Sequence, residues 1–208
     1  ICMDMHDPYI AAVRAYVPDA DLKIVFDKFH VIRLVNEAVD KVRRQENKEL
    51  REQQIEVLTG TKYLWLYAFE GIPGHLLPCF DELRRMDLKV SRAWAIKETL
   101  RKLWDYVHEG WARRFFRRWY WWATHSQLAP MVAAAKTLKR HLANILTYLL
   151  HRITNALNET INAQIEKVKR MACGFRNRES FHTAIYFHCG GLDLYPRPAT
   201  TTYGGHPQ

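Results

Sequence analysis

The sequence predicts an α/β chain that is mainly helical and built on two parallel strands joined by a crossover helix. Three observations lead there. Two short apolar runs, Ile1 to Met5 and Leu22 to Phe26, have the length and β-branched or aromatic composition of strands. Between them Asp7-Pro8 opens a helical pattern in which Ile10, Val13 and Val17 recur until Pro18-Asp19 ends it. Downstream of His30 the apolar residues recur at helical spacing almost to the end of the chain. Strand, helix and strand in this order imply parallel pairing, because parallel neighbours need a crossover connection.

Taken in order, the first strand closes on Asp4, and Asp7 is the natural cap of the first helix. The second strand closes on Asp27. Val31, Leu34, Val35, Ala38, Val39 and Val42 then form one stripe that runs into the charged stretch Arg43 to Glu56, predicting a long helix that is partly solvated. Gly60 and Gly71-Ile72-Pro73-Gly74 mark loops, with helices predicted over 76–86, 90–108 and 111–123. Another helix starts at Pro130 and carries Met131, Ala135, Leu138, Leu142, Ile145 and Leu149 on one face. From Thr154 to Ala172, Leu157, Ile161, Ile165 and Val168 make an apolar stripe, while Asn155, Glu159, Asn162 and Glu166 share another face. Gly174 stands at the expected C-cap, a helix from Glu179 to Phe187 follows, and Gly190 onward reads as an irregular tail.

With 208 residues and 48% hydrophobic content the chain is long enough for a sizeable core, which excludes a disordered tail. Lys and Arg number 31 against 22 acidic residues, a formal charge of +9 that favours a polyanionic partner or an anionic membrane surface, between which charge alone does not choose. No apolar run approaches the roughly 20 residues of a membrane span, and no secretory signal opens the chain. The expectation is a cytoplasmic protein that has no membrane partner. Cys2, Cys79, Cys173 and Cys189 lie far apart without a CxxC pair, so they are expected to be reduced and mostly buried thiols.

Asp4 and Asp27 close two parallel strands, which places both carboxylates at the C-terminal edge of the sheet, where open α/β folds bind ligands and metals. His30 lies one helical turn beyond Asp27. Asp27 has the alternative role of an ordinary helix cap. Glu159 is flanked one turn away on either side by Asn155 and Asn162, amides that cost several tenths of a kcal/mol each, roughly, in a helix interior. That placement suits positioning of a metal ligand or contact with a nucleic-acid backbone. Carboxylates brought together bind Mg²⁺ or Mn²⁺, which activate water and stabilise the leaving oxygen of a phosphodiester. Arginines and rings interleave from Trp111 to Trp122. Arg113, Arg114, Arg117 and Arg118 are read as phosphate contacts, and Phe115, Trp119 and Trp122 as an inward face. Lys167, Lys169, Arg170, Arg176 and Arg178 form a second basic cluster directly after the Glu159 helix.

Five segments in this order, Met3-Asp4-Met5, Phe26-Asp27-Lys28-Phe29-His30-Val31, Arg152-Ile153-Thr154-Asn155-Ala156 with Glu159 and Asn162, Gly174-Phe175-Arg176-Asn177, and His188-Cys189-Gly190-Gly191-Leu192, resemble the bacterial insertion-sequence transposases of the ISL-three group. The resemblance runs from Ile1 to about Pro196. It implies a partial ribonuclease-H-like fold of the DDE class with a large all-helical insertion. Asp4 matches the second catalytic Asp, Glu159 the closing Glu, and Asp27 with His30 the Asp-x-x-His signature. Residues 1–44 would then belong to the core, 45–125 to the insertion, 126–190 to the return carrying Glu159, and 191–208 to the tail. The family implies strand cleavage and transfer at terminal inverted repeats of double-stranded DNA, two Mg²⁺ (or Mn²⁺) ions, an oligomeric assembly on DNA and a nucleoid setting. Thr160 stands where the family pattern has Gly. The first Asp of the family lies further upstream, and Ile1-Cys2-Met3 opens directly as strand, so the isolated chain is expected to lack one metal ligand and not to cut DNA. Three other readings compete: a non-catalytic basic DNA-binding or assembly module, a helical scaffold that binds protein, and a decayed or frame-interrupted remnant of a coding sequence.

Overall fold

Strands β1 (Cys2–Met3) and β2 (Val25–Phe26) run parallel, with Cys2 opposite Val25 and Met3 opposite Phe26. The computed structural model describes residues 1–153 and 156–190, with 156–159 by backbone alone. The crossover is α1 (Asp7–Tyr16) followed by the short α2 (Ala20–Lys23). Both strands are shorter than the apolar runs that predict them. Leu22 falls in α2 because Asp19 takes a left-handed conformation, φ 54°, that turns the chain into one more helical turn before β2. The cap of α1 also differs. His6 holds the N-cap position without a side-chain bond, and Asp7 is the first helical residue, where its charge opposes the helix dipole.

Helix α3 (Lys28–Glu52) is the long helix expected after Asp27, and it buries Val31, Val35, Ala38, Val39 and Val42. Its charged half is less solvated than its composition suggests, since Arg43 and Glu46 are also buried. Gly60, at φ 76°, ends the connection to α4 (Lys62–Leu66), and single 3-10 turns lead into α5 (Leu77–Arg85). Helix α6 (Lys89–Arg101) stops earlier than predicted and passes into a 3-10 turn, Lys102–Asp105, before α7 (Glu109–Thr124). The helix expected from Pro130 is two helices, α8 (Ala129–Arg140) and α9 (Leu142–His151), broken at His141. The break lets Leu142 and Leu149 pack against the core on a new axis while α9 covers β2.

Residues Ile1–Thr154 and Asn155–Gln208 form two compact units. In the first, α3 packs on α6 and α8, α7 packs on α6 and α8, and one apolar cluster runs from Ile10 to Leu146. Helix α9 packs against β2 and α2. There Asn144 donates to Asp21 O at 3.0 Å and Ile24 O at 3.5 Å, and the His151 ring lies 3.0 Å from Leu22 O. In the second unit α10 (Ala156–Met171) packs on α11 (Arg178–Cys189), which Asn177 caps by accepting from Ser180 N at 2.7 Å. Gly174, at φ 112°, supplies the left-handed step between them. The tail predicted from Gly190 lies, from residue 191, outside the described residues. Among the described residues no helix is long and apolar enough to cross a membrane. The four cysteines are free, as expected, but none is fully buried; Cys79 and Cys173 are exposed.

Candidate active site

Parallel pairing in register brings the residues after β1 and β2 to one edge, and Asp27 N donates across it to Met3 O at 3.3 Å. Asp4 leaves β1 at that edge with its side chain 48% exposed. Asp27 leaves β2 and is buried at 5%, because its carboxylate caps α3 by accepting from Phe29 N at 2.7 Å. The first turn of α3 then carries His30 back over the edge, where Nε2 lies 2.6 Å from Asp4 Oδ1. That contact needs the proton on Nε2, so Asp4 selects the tautomer of His30 and His30 orients the carboxylate. Three of the residues singled out by sequence therefore meet at one point of the fold. Cys2 adds a thiol 3.8 Å from Asp27 Oδ2, and burial followed by the charge of Asp27 pushes its pKa up to about 11. It is a neutral hydrogen-bond donor near pH 7, with no thiolate to serve as nucleophile.

The carboxylates offer the hard oxygen donors that Mg²⁺ and Mn²⁺ favour, and the exposure of Asp4 leaves it open to a cation. Among the described residues no group of three His, Cys, Asp or Glu side chains is arranged to hold a metal. The backbone of Glu159 lies in α10, but its side chain is outside the described residues, as is Asn155. Asn162 is exposed on α10.

Arg113, Arg114, Arg117 and Arg118 are exposed along α7, with Arg113 held 2.6 Å from Glu109. The inward face of this helix is Ala112, Phe116, Trp119 and Ala123, one position away from the predicted Phe115, Trp119 and Trp122. Trp119 was correctly placed inside, and its Nε1 donates to Ile96 O at 2.8 Å. Phe115 is half-buried and Trp122 is exposed. The two alanines decide the register, because small residues let α7 approach α6 and α8 closely. A reading by ring size alone misses them, and it misses the exposed Trp111 and Trp121 as well. In the second unit Lys167, Lys169, Arg170, Arg176 and Arg178 are exposed, and Lys169, Phe175, Arg176 and Arg178 line a cavity of about 320 Å³ at the start of α11.

Comparison with known proteins gives consistent matches. A transposase family, the DDE type of the ISL-three group, matches residues 1–185. The transposase for insertion sequence element IS1001 of Bordetella parapertussis is 29% identical over 188 residues, covering 89% of this chain and 46% of that protein. The transposase for insertion sequence element IS1557 of Mycobacterium tuberculosis is 24% identical over 205 residues, covering 88% of this chain and 45% of that protein. The chain thus spans about half the length of the curated relatives it matches. No solved structure matches it.

Proposed function

Because the chain belongs to the DDE transposases of the ISL-three group, we propose that it supplies the downstream part of a ribonuclease-H-like core that cuts DNA at transposon ends and joins the freed strand to target DNA. On this reading Asp4 and Glu159 are two of three catalytic carboxylates, and the first comes from the upstream half of the longer protein. Residues 45–125 are the helical insertion, 1–44 and 126–190 the core. Asp27 holds α3 in place for His30, and Asn155 and Asn162 flank Glu159.

The observation that carries the reading is Asp4, exposed at the C-terminal sheet edge and gripped by His30. The edges of the sheet support it too. Among the described residues β1 pairs with β2 alone, so no strand covers its other side. A further strand has its place there. Divalent magnesium or manganese, two ions in the complete site, would activate the attacking water or hydroxyl and stabilise the leaving oxygen. The chain's own residues contribute fixed carboxylate geometry and basic surfaces for the phosphodiester backbone. An assembly of several copies on terminal inverted repeats belongs to the same proposal.

Mn²⁺ titration followed by electron paramagnetic resonance tests the assignment. Asp4→Asn and Glu159→Gln are expected to weaken binding, and Asp27→Asn to lower stability more than affinity. Equal affinity in all of them would discard the site. With Mg²⁺ the 208-residue chain is expected to leave DNA uncut. Nicking by wild type but not by Asp4→Ala would show that the third acid lies within these residues. The charge of +9 and the exposed arginines of α7 also favour a binding or assembly module without metal. That module would keep its DNA affinity in Glu159→Gln and bind no Mn²⁺.

A further inference from the structure

Helix α7 has two faces of opposite character. Ala112, Phe116, Trp119 and Ala123 point into the core. At about 100° per residue, Arg114, Arg117, Arg118, Trp121 and His125 fall on the opposite side, with Trp111 beside them. Trp121 is 63% exposed and Trp111 58%. Packing within the first unit does not explain two indoles placed there, since the same helix already buries Phe116 and Trp119. The rings are also organised. Trp121 stacks on the His125 ring at 4.5 Å between centroids and 23° between planes, and the Arg114 guanidinium lies 5.8 Å over Trp111. No carboxylate pairs with Arg114, Arg117 or Arg118 among the described residues, whereas Arg113, nearer the core, is tied to Glu109.

Flat rings between unpaired guanidinium groups match a partner that offers a planar π-face and a negative charge at each repeat. Single-stranded nucleic acid has both. A duplex hides its base faces in the stack and leaves only phosphates for the arginines, so the indoles would gain nothing from it. Trp111 and Trp121 are separated by about 15 Å along the helix, a span that a short extended single strand can bridge.

We propose that the outer face of α7 binds an unpaired DNA strand, stacking bases on Trp121 and Trp111 while Arg114, Arg117 and Arg118 hold the phosphates. The proposal rests on the reading of the chain as a DNA-acting transposase and specifies which form of DNA this surface takes. A burial-driven protein contact is the main rival, and the two separate cleanly. Fluorescence anisotropy of the whole chain with a labelled oligothymidylate and with a duplex of equal length gives the affinities. Trp111→Ala and Trp121→Ala are each expected to weaken single-strand binding about tenfold, with duplex affinity held within about twofold and the melting temperature unchanged. Trp121→Phe should retain most of the affinity.

Loss of single-strand and duplex affinity in equal measure, or of neither, would overturn the proposal. So would a change of oligomeric state by light scattering with single-strand affinity unchanged. Binding of neither DNA at low salt would sink this surface together with the DNA-facing half of the functional reading. The Mn²⁺ titration of Asp4 and Glu159 stands apart from either outcome.

Discussion

Lys97 shows how a single buried charge can hold a helix end. Only 1% exposed, it donates from Nζ to the carbonyls of Trp65 at 3.0 Å, Leu66 at 3.3 Å and Tyr67 at 2.6 Å, which are the open C-terminal groups of α4. A cation suits that end because the last carbonyls carry the negative pole of the helix. Burial lowers its pKa to about 8 against the opposing pull of Glu98. Between about 8 and 10.5 the unfolded chain therefore keeps a proton that the folded chain has released, and the contribution of Lys97 to stability rises with pH across that window. As pH falls through 8 this gain is lost. Lys97→Met is expected to lower stability by about 2 kcal/mol at neutral pH, the scale of one or two buried carbonyls left unbonded. Urea unfolding at pH 7.5 and pH 10 should show wild type gaining on the variant at the higher pH; parallel behaviour would refute the assignment. Asp4, Asp27 and His30 were legible in the sequence because a strand end and a helix start need only local patterns to be seen. Lys97 was not, because its three acceptors are some thirty residues away in sequence.

At the scale of elements, α6 begins without a side-chain cap of its own, since Leu88 holds the N-cap position. Glu46 of α3 supplies what is missing. Its two carboxylate oxygens accept from Lys89 N at 2.6 Å and Val90 N at 2.8 Å, while Lys89 Nζ also pairs with Glu49. One helix thus completes the open N–H groups of another and brings a negative charge to its positive pole. Glu46→Ala is expected to cost about 2 kcal/mol, from two amide groups left buried without an acceptor. A lower urea midpoint at unchanged slope would register it, and no change would mean that water replaces the carboxylate. Within the partly solvated stretch Arg43 to Glu56, this cap singles out Glu46 as buried, which composition alone does not reveal. Composition marks those residues as charged, but whether a charge faces water or a helix end depends on a partner more than forty positions away. The split of α8 from α9 was hidden for a related reason: the apolar spacing continues through His141, and only the need of α9 to cover β2 breaks the axis. Long periodic helices and the parallel pair, by contrast, rest on local patterns and were read correctly in kind.

For the molecule as a whole, two of the exposed basic clusters are the outer face of α7 and the stretch from Lys167 to Arg178. On the proposed function, the association of these clusters with DNA weakens steeply with salt. Replacing Arg114, Arg117 and Arg118 together with Gln is expected to flatten the slope of log affinity against log salt by about 2 to 3, close to one per lost phosphate contact. Titrations from 50 to 200 mM salt decide it, and an unchanged slope would place those phosphates elsewhere. Whether Glu159 joins Asp4 is a matter of tertiary geometry that no local pattern encodes, and the metal titration addresses it directly. The long helix α3 has one more consequence. His30 and Glu46 are separated by sixteen residues, about 24 Å of unbroken rod, so the imidazole that steadies Asp4 and the acid that seats α6 share a single alignment axis. A shift imposed on the helical body by bound DNA would tilt that axis and be felt at the carboxylate edge, as turning one end of a spindle moves the other.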